Sequence, residues 1–363
     1  MTLKQAFIVL TLLIVFTTCS AQAVIDYTKV LSEYVGQPES VFSYSLIATI
    51  PTQVATVYVL NVTTLTYLTP GEVGIRSTWF NYATISVPFS LDKTKNQAIV
   101  YITDGVNTEP FSVDPIIPSV SYLTKSIAVG VYNIPNQPIT YNSDASHVSR
   151  MEDDIFLIAF GWKRFLNDTS QTHYVLQLPM VKSSKLVLDA FVDFAQKSLS
   201  QTISEFTVIG ASKRGWVAWL LAGLDKRIKS VITLVIPVFE TTKIFERSFN
   251  NICEWPFAMG KYVSQGVLND IFSTSFEKLS QIVDPKYYSR LAEIPKFQVL
   301  GMGDEFFSFE DIKGDKYVRY IPNFGHDLAQ SDAMNVILTY QVARMNNITL
   351  PQYHFPILTV QKV

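Results

Sequence analysis

The stretch FTVIGASKRGWVAW, residues 206–219, decides the fold. Its apolar residues run from Phe206 to Ile209 and stop at Gly210, Ser212 follows, and an aromatic-rich pattern with helical spacing begins beyond Gly215. This order predicts a strand, then a tight turn, then a helix. The Ser212 hydroxyl would stand where the strand ends, in a position open to chemistry.

Ser212 in this setting resembles the nucleophile elbow of an α/β-hydrolase. There a strained turn exposes the serine hydroxyl, and the N–H of the following residue, here Lys213, is free to stabilise an oxyanion. The match to G-x-S-x-G is imperfect, because Arg214 stands where the second glycine is expected and Gly215 comes one residue later. The rest of the chain must therefore decide between an elbow and an ordinary turn.

Composition sets the limits on fold and partners. The chain has 363 residues, of which 48% are hydrophobic and 17% charged, enough for one large α/β domain or two smaller ones. The net charge is −2 and the 29 basic residues are scattered along the chain, which excludes an electrostatic surface for nucleic acid.

Residues 1–23 predict a secretory signal peptide. Lys4 supplies the basic end, an apolar run spans residues 6–16, and Ala21-Gln22-Ala23 forms a cleavage site of small residues. The alternative is a membrane anchor, but the run is too short for a comfortable span, and no later stretch is long enough to cross a bilayer. We therefore expect a secreted, extracellular protein whose hydrolase-like domain comprises residues 24–363.

The sequons agree with export, and the cysteine count leaves no pair for an intrachain disulfide. Three sequons mark Asn61, Asn167 and Asn347 as glycosylation sites. After signal removal Cys253 is the one remaining cysteine, so no intrachain disulfide is expected. Cys253 is either a buried small residue or a pairing site for another chain, and burial is favoured.

Strands alternate with helices along the chain. Pattern predicts strands at residues 41–51, 52–67, 83–87, 97–103, 126–133, 206–209, 228–238, 297–302 and 317–321, and helices at 153–166, 179–195 and 329–345. Pro70-Gly71 predicts a turn, and residues 149–152 a capping box. Such alternation predicts an α/β fold with a mostly parallel sheet covered by helices on both faces.

An acid and a base follow two late strands. Asp304 comes after the strand at 297–302 and His326 after the strand at 317–321, which gives the order Ser, Asp, His. A serine hydroxyl needs a base to accept its proton and a third group to fix the tautomer of that base. Glu305 is the rival to Asp304, and the histidines without such a position are His147, His173 and His354.

Two segments would complete a site of this kind. The loop after the strand at 97–103 offers the N–H of Gly105 or Val106 as a second oxyanion donor, although an ordinary Asp-Gly turn is equally compatible. Residues 239–295 form either an inserted helical cap or a longer helical connection, in which Trp255, Phe257 and Tyr262 line a pocket or belong to the core.

No cofactor or metal is expected. Asp153 and Asp154 are interpreted as helix-start residues favoured by the helix dipole rather than as metal ligands, because no histidine lies close to them in sequence.

Eight ordered blocks spread over nearly the whole mature chain resemble the PhoPQ-activated pathogenicity-related family. They are LTPGEV (68–73), IPNQP (134–138), MEDD (151–154), LPM (178–180), GASKRGW (210–216), VDP (283–285), GDEFF (303–307) and IPNFGH (321–326). The resemblance implies an α/β-hydrolase fold, with the family's serine, aspartate and histidine falling on Ser212, Asp304 and His326. One branch of the family is a secreted autocrine repressor of cell proliferation.

Two departures from the family and one further likeness bear on the function. Asn81 stands where the family often has histidine, and the chain is shorter than typical members. G-x-S-x-x-G also resembles glucuronoyl esterases, in which an arginine near the serine helps hold the oxyanion. Arg214 or Lys213 would have that role here, but a salt bridge beneath the elbow is favoured.

Two functions follow as hypotheses. The first is a serine hydrolase with esterase or peptidase-like acyl transfer, acting on a small-molecule or peptide acyl substrate. The second is a secreted autocrine signal that represses proliferation by using the hydrolase fold as a binding scaffold for a cell-surface receptor. An intact triad does not by itself decide between them, because fold and function are separable.

Overall fold

A computed structural model describes residues 25–107, 111–146, 153–304 and 312–351. The expected signal peptide and the expected capping box at 149–152 therefore lie outside the described residues. The sheet has nine strands in the order β1-β2-β3-β5-β4-β6-β7-β8-β9. They are β1 (Ser43–Pro51), β2 (Ala55–Thr66), β3 (Thr78–Pro88), β4 (Gln97–Ile102), β5 (Ala128–Val131), β6 (Glu205–Ala211), β7 (Ile228–Leu234), β8 (Lys296–Gly301) and β9 (Lys316–Ile321).

The sheet has an antiparallel part and a parallel part. Strands β1, β2 and β3 pair antiparallel, and β3 joins β5 in the same sense. From β5 through β4, β6, β7 and β8 to β9 every pairing is parallel. The predicted mostly parallel sheet is confirmed, with the early strands, rich in valine and threonine, forming its antiparallel side.

Helices cover both faces of the sheet. They are α1 (Val30–Gly36), α2 (Pro70–Val73), α3 (Ile116–Thr124), α4 (Asp154–Asn167), α5 (Gln177–Leu199), α6 (Ser212–Leu224), α7 (Thr241–Ile252), α8 (Gly260–Ser264), α9 (Thr274–Val283) and α10 (Ala333–Met345). Two apolar clusters result, one under α4, α5 and α6 and the other under α3 and α10. In β4, Val100 belongs to the first cluster and Ile99 to the second, which explains its unbroken apolar run.

Several boundaries differ from the sequence prediction. Strand β7 ends at Leu234 rather than at residue 238, because Val235 has the left-handed φ of 49° and Pro237 carries no N–H for the ladder. The predicted turn at Pro70 is the one-turn helix α2, capped by reciprocal hydrogen bonds between Thr69 and Glu72. Helix α3 was not predicted; Pro115 is its N-cap and Pro118 lies in its first turn, where proline is tolerated.

The segment between β7 and β8 is helical. It contains α7, α8 and α9 together with four short 3₁₀ turns. Cys253 ends α7 in a left-handed conformation and is exposed, so the expectation of a buried cysteine is wrong: the chain turns away from the core at that residue. None of the helices in the described ranges is both long and apolar enough to cross a membrane.

The three sequons have different surroundings. Asn167 ends α4 and Asn347 follows α10, and both are exposed. Asn61 lies inside β2, opposite Ser45 on β1 and Tyr82 on β3, with its amide oxygen buried. Asn61 is therefore the least accessible of the three asparagines.

Candidate active site

The elbow forms where β6 meets α6. Ala211 has an extended backbone, and Ser212 opens the helix with a φ of 49°. A left-handed φ at a residue with a Cβ costs roughly 1–3 kcal/mol, and such residues cluster at functional sites. The prediction of a strand, tight turn and helix around Ser212 is thus confirmed, and the strain falls on the serine itself.

The spacing of the two glycines has a steric cause. A Cβ on Gly210 would overlap the backbone of Arg214 and Gly215, and a Cβ on Gly215 would lie 2.8 Å from the Gly210 oxygen. The helix therefore crosses the strand at Gly215. The Arg214 side chain extends toward Asp154 and Asp104 instead of toward the strand, so this position does not require glycine. G-x-S-x-x-G can therefore build the same turn as G-x-S-x-G.

Three of the predicted residues meet in one hydrogen-bonded chain. His326 Nε2 lies 2.9 Å from Ser212 Oγ, and His326 Nδ1 lies 3.0 Å from Asp304 Oδ2. The Asp304 side chain is 2% exposed and that of His326 37% exposed. An Asp304 carboxylate can only accept, so Nδ1 carries the proton and Nε2 is left to accept from the serine hydroxyl.

Contact between two loops brings Asp304 and His326 together. Asp304 follows β8 and His326 follows β9, and these strands are neighbours. The Gly303 N–H donates to the Phe324 oxygen at 2.8 Å, and a Cβ on Gly301 would overlap the backbone of Gly325. The glycines preceding the acid and the base therefore let the two loops pack directly on each other.

The other candidate acid and bases lie elsewhere or outside the described residues. Glu305, His147 and His354 fall outside them. His173 lies 3.9 Å from Glu72, next to the capped helix α2. In the part of the chain that the structure describes, no group of three histidine, cysteine or carboxylate side chains could hold a metal ion.

Arg214 makes a buried ion pair beneath the elbow. Its guanidinium contacts Asp154 at 2.5 Å and Asp104 at 3.1 Å, and Lys213 lies 3.7 Å from Asp154. The favoured salt bridge is thus observed. Asp153 and Asp154 lie at the start of α4 as expected, at its N-cap and in its first turn. Asp153 makes no side-chain cap bond, and the Asp154 carboxylate binds Arg214, 60 residues away in sequence.

The expected oxyanion donors lie on the elbow and on the neighbouring strand end. Lys213 is the second residue of α6, where an N–H has no acceptor within the helix. Gly105 follows β4, which pairs with β6, and adopts a φ of 135° with Asn133 against it. Val106 bridges to Gln137 of the loop after β5. The Arg214–Asp104 pair ties the Gly105 loop to the elbow.

A partly open pocket of about 60 Å³ lies beside Ser212 and His326. Its walls come from α6, from the segment after β7 and from α7 and α8, and its main apolar lining residues are Ile155, Trp216, Ile236, Val238, Ile244 and Phe245. Tyr262 lines it and also belongs to the buried core, so both alternatives hold for this residue. Trp255 and Phe257 do not line it but border a separate surface groove near Asp304, where Phe257 is 97% exposed.

Sequence reasoning missed the role of Asn81. Its side chain is fully buried, donates to the backbone oxygens of Tyr132 at 3.0 Å and Asn133 at 2.8 Å, and accepts from Thr64 and Ser183. Asn81 therefore fixes the end of β5, against which Gly105 packs. The sequence prediction began this strand at residue 83 whereas β3 begins at Thr78, so Asn81 fell outside the predicted strand, and its partners are distant in sequence.

Comparison with known proteins gives both a family and a fold. A sequence model described as PhoPQ-activated pathogenicity-related protein matches residues 31–362. Autocrine proliferation repressor protein A of Dictyostelium discoideum is 30% identical over 345 residues, which cover 91% of this chain and 68% of that protein.

Solved structures with a similar fold are esterases of low sequence identity. Acetyl xylan esterase 1 from Thermoanaerobacterium sp. has a TM-score of 0.55 at 13% identity, with 87% of this chain and 93% of that chain covered. An acetyl xylan esterase from Paenibacillus sp. R4 has a TM-score of 0.50 at 15% identity, with 87% and 92% covered. At such identities the likeness shows the α/β-hydrolase fold alone.

Proposed function

The chain belongs to the PhoPQ-activated pathogenicity-related protein family, and from this premise we propose that it is a secreted serine hydrolase that transfers an acyl group from an ester to water. The observation that carries the proposal is the chain of two hydrogen bonds, 2.9 and 3.0 Å long, from Ser212 through His326 to Asp304. These distances meet the requirement that a nucleophile and its base lie within hydrogen-bond reach.

The first half of the reaction acylates the serine. Ser212 Oγ attacks the ester carbonyl carbon while its proton passes to Nε2 of His326. Asp304 stabilises the imidazolium through Nδ1 and holds the ring in the required tautomer. The carbon–oxygen bond to the alcohol then breaks, and the proton on Nε2 leaves with that alcohol.

The second half releases the acid. A water molecule gives a proton to His326 Nε2 and attacks the acyl carbon, and the proton returns to Ser212 Oγ as the acyl bond breaks. The oxyanion formed in both halves would accept hydrogen bonds from the N–H of Lys213 and from that of Gly105 or Val106. Arg214 is occupied by Asp154 and Asp104, so its part is to hold the elbow and the Gly105 loop together.

Labelling with a fluorophosphonate probe tests the nucleophile without a guess at the substrate. The folded protein lacking residues 1–23 should be labelled, and Ser212→Ala should abolish labelling. Ser32→Ala, an exposed serine of α1, is the matched control and should leave labelling unchanged. A folded wild type that takes up no label contradicts the proposal.

Export rests on the pattern of residues 1–23 and is tested separately. Expressed in a eukaryotic secretory host, the full chain should reach the medium with its first residue near Val24. The chain without residues 1–23 should stay inside the cells. Retention of the full chain in the cell membrane would instead support the anchor.

A second function, autocrine repression of proliferation through a cell-surface receptor, is favoured by the 30% identity to the Dictyostelium discoideum repressor. Purified wild type and Ser212→Ala added to proliferating cells distinguish the two. Equal repression by both would support a binding role, whereas repression lost in the folded variant would support catalysis.

A further inference from the structure

We propose that the pocket beside Ser212 is an acyl-chain site that selects short, uncharged acyl groups of about two to five carbons. The inference rests on the proposed serine hydrolase and names the substrate class of that same site. It is drawn from the lining and the size of the pocket.

The lining offers almost nothing to a polar acyl group. The polar atoms of two of its side chains are already used: Trp216 Nε1 donates to the Val283 oxygen at 2.6 Å, and Thr241 Oγ1 donates to the Val238 oxygen at 3.3 Å. The Lys213 ammonium lies 3.7 Å from the Asp154 carboxylate, so its charge is shared with an anion. A polar or charged chain would therefore lose its water and gain few partners among the described residues.

Tyr262 keeps this environment neutral. Burial, reinforced by the nearby Asp154 carboxylate, raises the pKa of its phenol far above the usual range. The hydroxyl is thus protonated at any pH at which an ester can be assayed. The described residues that line the pocket therefore include no anion that would attract a cationic acyl group.

The volume limits the chain length. A water-sized group needs roughly 10–15 Å³ of such space, so a pocket of about 60 Å³ holds about four to six non-hydrogen atoms. An acyl chain of two to five carbons fits within that number. An octanoyl chain does not fit unless a wall moves.

The wall that would have to move is Phe245 of α7. Its ring is buried and packs against Tyr262 and Phe276, with ring centroids 6.0 and 6.2 Å apart. Aromatic contacts of this kind contribute about 0.5–1.5 kcal/mol beyond the area they bury. Phe245 is therefore held in place from behind and sets the depth of the pocket.

Hydrolysis of p-nitrophenyl acetate, butanoate, octanoate and dodecanoate by the mature chain tests the inference. The wild type should show kcat/KM at least tenfold higher for butanoate than for octanoate, because several methylenes have no room. Phe245→Ala should raise the octanoate-to-butanoate ratio at least tenfold by deepening the pocket. The p-nitrophenyl monoester of succinic acid should be cleaved at least tenfold more slowly than the butanoate.

Phe249→Ala is the matched control. Phe249 lies one turn further along α7, is 38% exposed and contacts Trp255 rather than the pocket. Its substitution should leave the octanoate-to-butanoate ratio unchanged. If Phe245→Ala does not fold, Ile244→Ala serves as the second enlarging variant, with the same expected direction.

The outcomes separate this inference from the proposed function. A wild type that takes up the fluorophosphonate but prefers octanoate, or cleaves none of the four esters, overturns the inference and leaves the serine hydrolase standing. An unchanged ratio in folded pocket variants also overturns it. A folded wild type without labelling overturns both.

Discussion

The parallel and antiparallel halves of the sheet use their buried polar groups differently. At the carboxyl ends of β6, β8 and β9 the parallel half holds Ser212, Asp304 and His326 in one chain of hydrogen bonds. In the antiparallel half, Asn81 of β3 joins Thr64 of β2, Ser183 of α5 and backbone oxygens of the β5 end. The first arrangement opens onto a pocket and the second is sealed.

The difference shows how parallel and antiparallel strand pairing place polar side chains in the sheet. Parallel neighbours all end at the same edge, so loops distant in sequence converge there, and open α/β sheets bind their ligands at that edge. Antiparallel neighbours end at opposite edges, and their polar groups serve packing instead. Substitutions in the two halves should therefore separate loss of activity from loss of stability.

Asp304→Asn should have the largest effect. The amide would present an N–H to His326 Nδ1 and favour the wrong tautomer, so kcat should fall about 10⁴-fold while the packing stays intact. Ester hydrolysis and thermal unfolding check this together. A kcat above a tenth of the wild-type value would show that Asp304 is not the residue that orients His326.

Arg214→Ala should cost both activity and stability. It removes the shorter ion pair of the buried Asp154 carboxylate, for which about 3–5 kcal/mol of unfolding free energy is expected. It also releases Asp104 beside the Gly105 loop, so kcat should fall. Urea unfolding and ester hydrolysis measure the two effects.

Two variants sharpen the Arg214 result. Arg344→Ala breaks an exposed pair with Asp315 and should cost about 1 kcal/mol or less, with activity retained. Arg214→Met combined with Asp154→Leu replaces the buried pair by apolar side chains and should regain most of the stability. A single Arg214→Ala that costs no more than Arg344→Ala would show that the buried pair contributes little.

Lys296 tests whether every buried charge of the parallel half belongs to the site. It lies at the amino end of β8, whereas Asp304 follows the carboxyl end of the same strand. Its ammonium donates to the backbone oxygens of Ile294, Lys313 and Asp315. Burial lowers its pKa to about 8, against the raising influence of the Asp315 carboxylate. Its ammonium therefore loses its proton in the folded state before it does so in the unfolded chain.

The sign of the pH effect follows from the protons bound. Between pH 8 and about 10.4, the usual lysine value, the unfolded chain holds more protons, so unfolding free energy attributable to Lys296 should rise with pH by up to about 3 kcal/mol. Below pH 8 this contribution should be flat. Urea unfolding of wild type and Lys296→Met across pH 7–10.5 checks it, and identical slopes in the two proteins would contradict it.

Asn81→Ala should have the smallest effect, and on stability alone. It leaves buried partners such as Thr64 and Ser183 without their common acceptor, at a cost of about 1–3 kcal/mol, while labelling of Ser212 should persist. Asn96→Ala, an exposed asparagine bonded to Ser204, should change unfolding free energy by less than about 0.5 kcal/mol. Loss of labelling in a folded Asn81→Ala protein would contradict the view that polar groups of the antiparallel half serve stability alone.

Local patterns predicted the parallel half well, because each of its strands is an apolar run followed by turn residues. The convergence of Ser212, Asp304 and His326 followed from the order of those strands. Interactions between distant residues could not be predicted in the same way: nothing near Asp154 in sequence indicates that its carboxylate binds Arg214. The exposure of Cys253 likewise depends on where α7 ends and on the direction the chain then takes.

The packing of the loop after β8 on the loop after β9 has a mechanical consequence. Because Gly301 and Gly303 lie directly on Phe324 and Gly325, the loops that carry the acid and the base form one rigid part. The serine belongs to a second part, the elbow between β6 and α6. Any movement that loosens the site would lengthen the Ser212–His326 hydrogen bond between the two parts. The hydrogen bond between His326 and Asp304 would stay intact, because both residues belong to the same part. Resting and working forms of the protein would then differ in a single adjustable distance.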